Sequence, residues 1–428
     1  MNRAAGPGQV SLGLVTAAWL ITSTFYFYQY VMRSAPSVMV PQITEGFGLT
    51  AVGAASLLGL FYYAYAPFSL VAGVAMDQLG PRKVVPAGAA TVAVGALLFA
   101  SGDPMLASIG RFLQGAGGVF ALIAAVFLAT KYMPAARAAT LIGATQMFGM
   151  AGGSAGQFLV GPAIAGGLPW DTFWLIMGLV GLPLAVVLFF VLPAQAPESP
   201  SRENWASNAG KAMGAVFLNP QSILCGVISG LLFIPTTIFD MVWGVRFLEE
   251  AHNVDYTEAV LRSASVPFGW IIGCPLLGWM TDRLGRRKPV IICAGVVLAA
   301  CLAAILYVPA GLFPAYSLGL VTGIASGAAM IPYTVIKEAN RPEHSGTATG
   351  VINFLNFSLS ALLGPIFATR LMHISSGGER ELSHYQGTFE PLIWGVGIAI
   401  LLTLLLRETG PAARVLAVPD SFQSQPRG

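Results

Sequence analysis

Charge is scarce in this chain. Asp, Glu, Lys and Arg together make up 10% of its 428 residues, where soluble domains carry about 25%. An ordinary soluble globule is thereby excluded. The net charge is only +3, too small a surplus to argue for a nucleic-acid partner. Histidine is rarer still: His252, His344, His373 and His384 all fall in loops or at the ends of apolar runs. Inside those runs no histidine competes for a proton-transfer role. The four cysteines, Cys225, Cys274, Cys293 and Cys301, sit in apolar segments and form no C-x-x-C pair. Neither a zinc site nor a disulfide framework is suggested, and they read as small apolar helix residues. No metal and no cofactor is expected.

What the chain has instead is apolar length. Hydrophobic residues are 55% and the mean hydropathy is +0.72. Its 50 glycines and 28 prolines lie within apolar runs, where membrane helices tolerate them. A span needs about 20 apolar residues. Twelve runs meet that length, at 11–36, 51–76, 84–101, 105–130, 138–165, 172–192, 220–247, 257–280, 289–308, 313–336, 346–371 and 389–406. The first reads as a retained span and not a signal peptide. Most connections are short; the exception, 193–219, holds Pro193, Pro197, Ser199, Pro200, Ser201, Arg202 and Glu203. This polar stretch reads as a cytoplasmic linker, with a short interfacial helix over 205–218. The expected organisation is a six-helix half at 1–192, the linker at 193–219, a second six-helix half at 220–407 and a polar cytoplasmic tail at 408–428. With the N-terminus inside, sixteen of the 22 Lys and Arg face the cytoplasm, so both termini are placed there.

Thirteen residues occur twice: Gly73-Val-Ala-Met-Asp77-Gln-Leu-Gly80-Pro-Arg82-Lys83-Val-Val85 and Gly278-Trp-Met-Thr-Asp282-Arg283-Leu-Gly285-Arg286-Arg287-Lys288-Pro-Val290. Both read G-x-x-x-D-x-x-G-x-R-K, 205 residues apart. A second echo joins Arg137-x-x-Thr140-x-x-Gly143-x-x-Gln146 to His344-x-x-Thr347-x-x-Gly350-x-x-Asn353 at an offset of 207. A six-span unit duplicated on a near-constant offset is the pattern of two-half transporters. These turns match motif A of the major facilitator superfamily, and Arg111-Phe-Leu-Gln114-Gly115-Ala-Gly117-Gly118 resembles its motif B. The resemblance covers essentially the whole chain. It implies an all-α membrane protein of twelve transmembrane helices in two pseudo-symmetric halves, multi-pass in a cell membrane, here expected to be a bacterial inner membrane. Arg33-Ser-Ala-Pro-Ser-Val-Met-Val-Pro41 is similar to the organic-anion symporters of that superfamily, whose first-span arginine binds a substrate carboxylate. Met32 and Gly118 depart from that branch, which often has acids there that take part in cation coupling.

A charge at membrane depth suggests function by default. Arg33 has two readings: an anion-binding guanidinium, whose planar fork suits carboxylates, or an arginine snorkelling to the outer surface. Asp240 is the one carboxylate well inside a run away from the basic turns. It falls near the repeat equivalent of Arg33, and three readings stay open: partner of Arg33, proton acceptor, or structural polar group. Arg111 divides between coupling and packing. Candidate substrate contacts are Tyr26 and Tyr30 on one helical face, Tyr62, the repeat equivalents Gln146 and Asn353, Asn356, and Trp243 one turn after Asp240. Interhelical hydrogen bonding is the competing reading for the polar ones; for Trp243 it is an interfacial aromatic belt. Gly161-Pro162 and Gly364-Pro365 mark expected bends, and Gly319, Gly323 and Gly327 a close helix approach. By the family resemblance, Asp77 and Asp282 face the positive N-termini of spans 11 and 5. Together with Arg82 and Arg286 they would form an inner gate.

The function expected is alternating-access transport of a small organic anion with proton coupling. An amino acid or short peptide, or an uncoupled facilitator or exchanger, are the alternatives. Expected partners are a small-molecule substrate, protons and the lipid bilayer, with the protein a monomer. An enzyme would need His, Asp or Cys clustered at one membrane face, and a sensor an added soluble domain; the sequence suggests neither.

Overall fold

The computed structural model describes residues 11–194, 205–309, 311–314, 316–375 and 380–412. Residues 1–10, the linker residues Pro197 to Glu203 and the tail beyond 412 lie outside the described residues. Among the described residues there is no strand. A helix follows each apolar run: α1 (Leu12–Ser34), α2 (Ala51–Leu79), α3 (Pro81–Phe99), α4 (Pro104–Lys131), α5 (Ala138–Phe158) and α6 (Trp170–Val191). In the second half, α7 runs Pro220–Ile234, passes through wide π turns at Pro235–Gly244 and ends as Val245–His252. Then come α8 (Tyr256–Leu284), α9 (Lys288–Tyr307), α10 (Ser317–Ser326, continuing to Glu338), α11 (Ser345–Ile374) and α12 (Leu382–Leu405). A further helix occupies Trp205–Phe217.

Ten of these are long and apolar enough to cross a membrane. The two less apolar are α1 and α5, for a readable reason: α1 carries Thr22, Ser23, Thr24, Tyr26, Tyr28, Gln29 and Tyr30, and α5 carries Thr145, Gln146, Ser154 and Gln157. Spans that serve a polar path are not apolar all round. The helix starts follow local chemistry. Asp103 Oδ1 accepts the N–H of Leu106 at 2.8 Å with Pro104 in the first turn, and Asn219 caps α7 through Gln221 N–H with Pro220 behind it. Such pairs satisfy orphan donors where proline needs none. Each basic turn hinges on a glycine in the left-handed region, Gly80 at φ 78° and Gly285 at φ 63°, a conformation that a side chain would strain.

The chain packs into two compact units. The first is Met1–Pro134, Thr145–Leu218 and Pro342–Phe357; the second is Ala135–Ala144, Asn219–Arg341 and Ser358–Gly428. Each expected half thus gives up the opening turns of one helix, α5 from the first and α11 from the second. In the first unit α4 is enclosed along nearly its whole length. A Cβ at Gly115 would strike the Phe61 carbonyl and one at Gly117 the Gly88 carbonyl, so small residues set the approach of α2 and α3. In the second unit a Cβ at Gly323 would strike the Val266 carbonyl, locking α10 onto α8. Such close backbone contact is how membrane helices gain dispersion energy without a hydrophobic driving force. By contrast Val186 and Phe190 of α6 and Trp394 and Leu401 of α12 stand exposed, suited to lipid.

The bends fall unevenly. A break at Leu159 ends α5 two residues before Gly161, and a short helix Val160–Ala165 follows. α11, in contrast, runs unbroken through Pro365.

Candidate functional site

Four residues of α1, Tyr26, Gln29, Tyr30 and Arg33, recur at three- and four-residue steps and share one face. Arg33 closes this stripe inside the first unit. Its guanidinium carbon lies 4.8 Å from the Tyr30 ring, 5.0 Å from Tyr62, 5.6 Å from Tyr65, 5.8 Å from Phe61 and 4.8 Å from Phe357. Its Nε donates to Tyr62 Oη at 3.4 Å, and its Nη1 is buried without a partner. Ring faces attract a cation by about 0.5–2 kcal/mol each, but five rings are not a counter-ion. Among the described residues no carboxylate pairs with Arg33.

A buried cation, Arg111, stands beside it. Arg111 of α4 donates through Nη1 to the Met32 carbonyl at 3.1 Å and to Gln114 Oε1 at 2.8 Å. Its Nη2 reaches the Arg33 carbonyl and its Nε that of Leu58, each at 3.4 Å. Its guanidinium carbon also lies 4.8 Å from the centre of the Phe61 ring. Arg111 therefore grips the backbone from which Arg33 projects. Gln114, the next motif B residue, passes the link on to the Gly95 carbonyl at 3.1 Å.

The remaining candidates divide. Tyr26 Oη donates to Gln146 Oε1 at 3.0 Å, joining α1 to α5. Asn353 Nδ2 donates to Ser69 Oγ at 2.8 Å, joining α11 to α2. The repeat equivalents Gln146 and Asn353 thus both bridge helices, to partners that are not themselves equivalent. Asn356 is buried on α11, and Tyr62 is 42% exposed, so the cage has one open side.

Asp240 belongs to the second unit, on the π turns of α7. Pro235 has no N–H to give the helix ladder, and a slipped i→i+5 pattern follows it. One carboxylate oxygen accepts from Ser263 Oγ at 3.0 Å. The group faces a cavity of about 90 Å³ whose polar lining is Asp240, Ser263, Arg262 and His252. Arg262 is engaged with Glu258. Trp243 does not line this cavity; it packs on Phe389, with Arg246 and Arg380 over its ring.

The basic turns repeat atom for atom at their carboxylates. Asp77 accepts the N–H of Gly346 at 2.6 Å, the N–H of Thr347 at 2.7 Å and the Thr347 hydroxyl at 2.7 Å. Asp282 accepts the N–H of Ala139 at 3.4 Å, the N–H of Thr140 at 2.8 Å and the Thr140 hydroxyl at 2.7 Å. Each anion thus sits on the positive end of a helix. Arg82 donates to the Phe189 carbonyl at 3.1 Å and meets no acid among the described residues. Arg286 is exposed. The arginine turned inward is the next one, Arg287, whose side chain is fully buried against Asp282 at 2.6 Å and Glu338 at 2.9 Å. Burial pulls its guanidinium down, but the hydrogen bonds and charges of Glu338 and Asp282 outweigh that and hold it above its ordinary value. In Gly285-Arg286-Arg287-Lys288 the arginine at the place of Arg82 is Arg287, so the motif register points to it and not to the expected Arg286.

These features, a duplicated basic turn, apolar helices long enough to cross a membrane and a half-buried arginine with no carboxylate partner among the described residues, point to a membrane carrier. The family model of the Major Facilitator Superfamily matches residues 22–365, and the chain belongs to that family. It is a multi-pass membrane protein and not an enzyme. It is 25% identical to a probable sulfoacetate transporter of Cupriavidus necator over 80% of this chain and 83% of that one. Identity to the hexuronate transporter of Bacillus subtilis is 26%, over 78% and 83%. The membrane sensor protein UhpC of Salmonella typhimurium is 24% identical over 91% and 90%. A sensor of this family that aligns over almost its whole length needs no large added domain, so that criterion does not separate the two classes. In fold, the crystal structure of the transporter FucP matches with a TM-score of 0.73 at 15% identity, covering 92% of this chain and 99% of that one.

Proposed function

We propose that this transporter carries a small organic anion by alternating access, with the acid group of the substrate held by Arg33. The observation that carries this reading is the half-buried Arg33 with five rings around its guanidinium, a buried Nη1 that is unmet and no carboxylate partner among the described residues. A buried guanidinium nitrogen without an acceptor is costly, and a substrate acid removes that cost. The sulfoacetate and hexuronate relatives carry organic anions by name. Tyr26, Tyr30, Tyr62, Gln146, Asn353 and Asn356 serve as its polar surroundings, and Arg111 holds the Arg33 backbone in place. Trp243 is assigned to packing in the second unit. Proton coupling falls to Asp240, which has a hydroxyl for a partner and a cavity beside it. The two Asp turns form the inner latch. The protein acts as a monomer in the bilayer.

Uptake into proteoliposomes tests this. Arg33→Ala should lower uptake of every acid by about tenfold or more, since hydrogen bonds to charged groups contribute roughly 1.5–3 kcal/mol. Unchanged uptake would discard the Arg33 reading. Asp240→Asn should abolish accumulation driven by a pH gradient while sparing exchange; full accumulation would exclude Asp240 as the coupling acid. An uncoupled carrier is the second reading, favoured by Met32 and Gly118 at positions where the resembling symporters often have acids. It predicts no accumulation in the wild type either.

A further inference from the structure

The face that carries Arg33 holds one more side chain, used by nothing above. Gln29 is 1% exposed, and neither its amide nitrogen nor its amide oxygen has a partner among the described residues. Its neighbours on the stripe are placed: Tyr26 is bonded to Gln146, and its ring stands edge-on to Tyr30 at 4.9 Å. Leaving a buried donor or acceptor unmet costs about 1–3 kcal/mol, and here both ends of one amide are unmet. Such a group calls for an explanation in what binds there. The opposing helix is cut back to suit it. A Cβ added at Gly118 of α4 would stand 3.2 Å from Gln29 Oε1, so a side chain at that position would press the amide away.

We propose that Gln29 recognises a hydroxyl of the substrate, so that the preferred cargo is a hydroxy acid and not a plain carboxylate or a hydroxyl-free sulfonate. The proposal rests on Arg33 being the anion site. A carboxylate or sulfonate only accepts hydrogen bonds. It can meet the amide NH2 of Gln29 but leaves the amide oxygen empty. A hydroxyl both donates and accepts, and two neighbouring hydroxyls satisfy both ends of the amide. The spacing suits a short chain. Gln29 and Arg33 are four residues apart on one face, about 6 Å along the helix axis, a separation that suits an acid and a hydroxyl a few carbons from it. A hexuronate has hydroxyls so placed and sulfoacetate has none, so the residue discriminates between two kinds of anion that relatives carry by name.

The test uses the full-length protein in proteoliposomes and radiolabelled pairs that differ only in hydroxyls: lactate against propionate, gluconate against hexanoate, with sulfoacetate alongside. In the wild type the hydroxylated member should be taken up at least about tenfold better, because a site built to bond a hydroxyl rejects the analogue without one. Gln29→Met should erase that ratio by lowering hydroxy-acid uptake alone; retained deoxy-acid uptake shows that the variant is folded. Gly118→Ala, which presses on the amide, should lower the same ratio. Equal uptake of both members by the wild type overturns the proposal, and so does a ratio that survives Gln29→Met. If Gln29→Met fails to fold, the wild-type ratio and Gly118→Ala decide. Failure to take up any acid, hydroxylated or not, strikes instead at Arg33.

Discussion

The two basic turns share a sequence pattern and a carboxylate geometry, yet they are wired differently. At the first, Asp77 caps α11, and Arg82 ends on a lone carbonyl of α6. At the second, Asp282 caps α5 and is also paired to Arg287, which holds Glu338. Glu338 in turn accepts from the Thr409 hydroxyl at 2.6 Å. Glu408 closes the turn from the other side, accepting the N–H of Arg287 at 2.6 Å and of Lys288 at 3.1 Å, so it caps α9. Among the described residues, the segment after α12 reaches the second turn through Glu408 and Thr409. At the second turn Asp282, Arg287, Glu338, Thr409 and Glu408 form a connected network, and a polar network with its members satisfied is rigid.

That contrast yields graded expectations. Arg287→Met should hurt most, leaving Asp282 and Glu338 as buried acids without their cation; breaking such a pair costs about 3–5 kcal/mol. Thermal unfolding in detergent should show the largest loss of Tm of any change at either turn. A Tm within a degree of wild type would mean that the network is idle. Asp77→Ala should cost less, about 2 kcal/mol, as two N–H donors and a hydroxyl lose one charged acceptor. Its chief effect should be functional: faster labelling of a cysteine placed on the cytoplasmic side, with the order of substrate preference unchanged. A changed preference order would place Asp77 in recognition and not in gating. Glu408→Gln should cost about 1 kcal/mol, the usual worth of a helix cap, and should loosen the second turn toward the behaviour of the first. Arg82→Ala should be the mildest, about 0.5 kcal/mol or less. If Arg82→Ala matched Arg287→Met, the two turns would be energetically alike and the comparison would fail.

How much of this was readable in the chain depends on range. Asp77, Gly80, Asp282 and Gly285 stand out because the motif is local and occurs twice. The role of Glu408 was not readable: it meets Arg287 across 121 positions, and no periodicity links a tail residue to a turn. At the site, Arg33, Tyr26 and Tyr30 follow from helical spacing on one run. The same spacing contains Gln29, but an uncharged amide gives a weaker signal than an arginine. The cage itself was hidden, since Phe61, Tyr65 and Phe357 come from α2 and α11 and resemble ordinary apolar filler. Arg111 shows the other limit. Its motif marks it as special, but only its four hydrogen bonds show that it grips backbone and a neighbouring glutamine.

The exchanged helix ends also set a timetable. Asp282 meets residues made 142 positions before it, so its partner is already in the membrane when it emerges. Asp77 must wait for residues 269 and 270 positions further on. At a synthesis rate of about 5–20 residues per second, that wait is roughly 13–54 seconds. Through that interval the first six helices are in the membrane with their carboxylate uncapped. The opening half of the protein is thus finished last, by a piece of the closing half, and a chain truncated before residue 346 would leave it permanently incomplete.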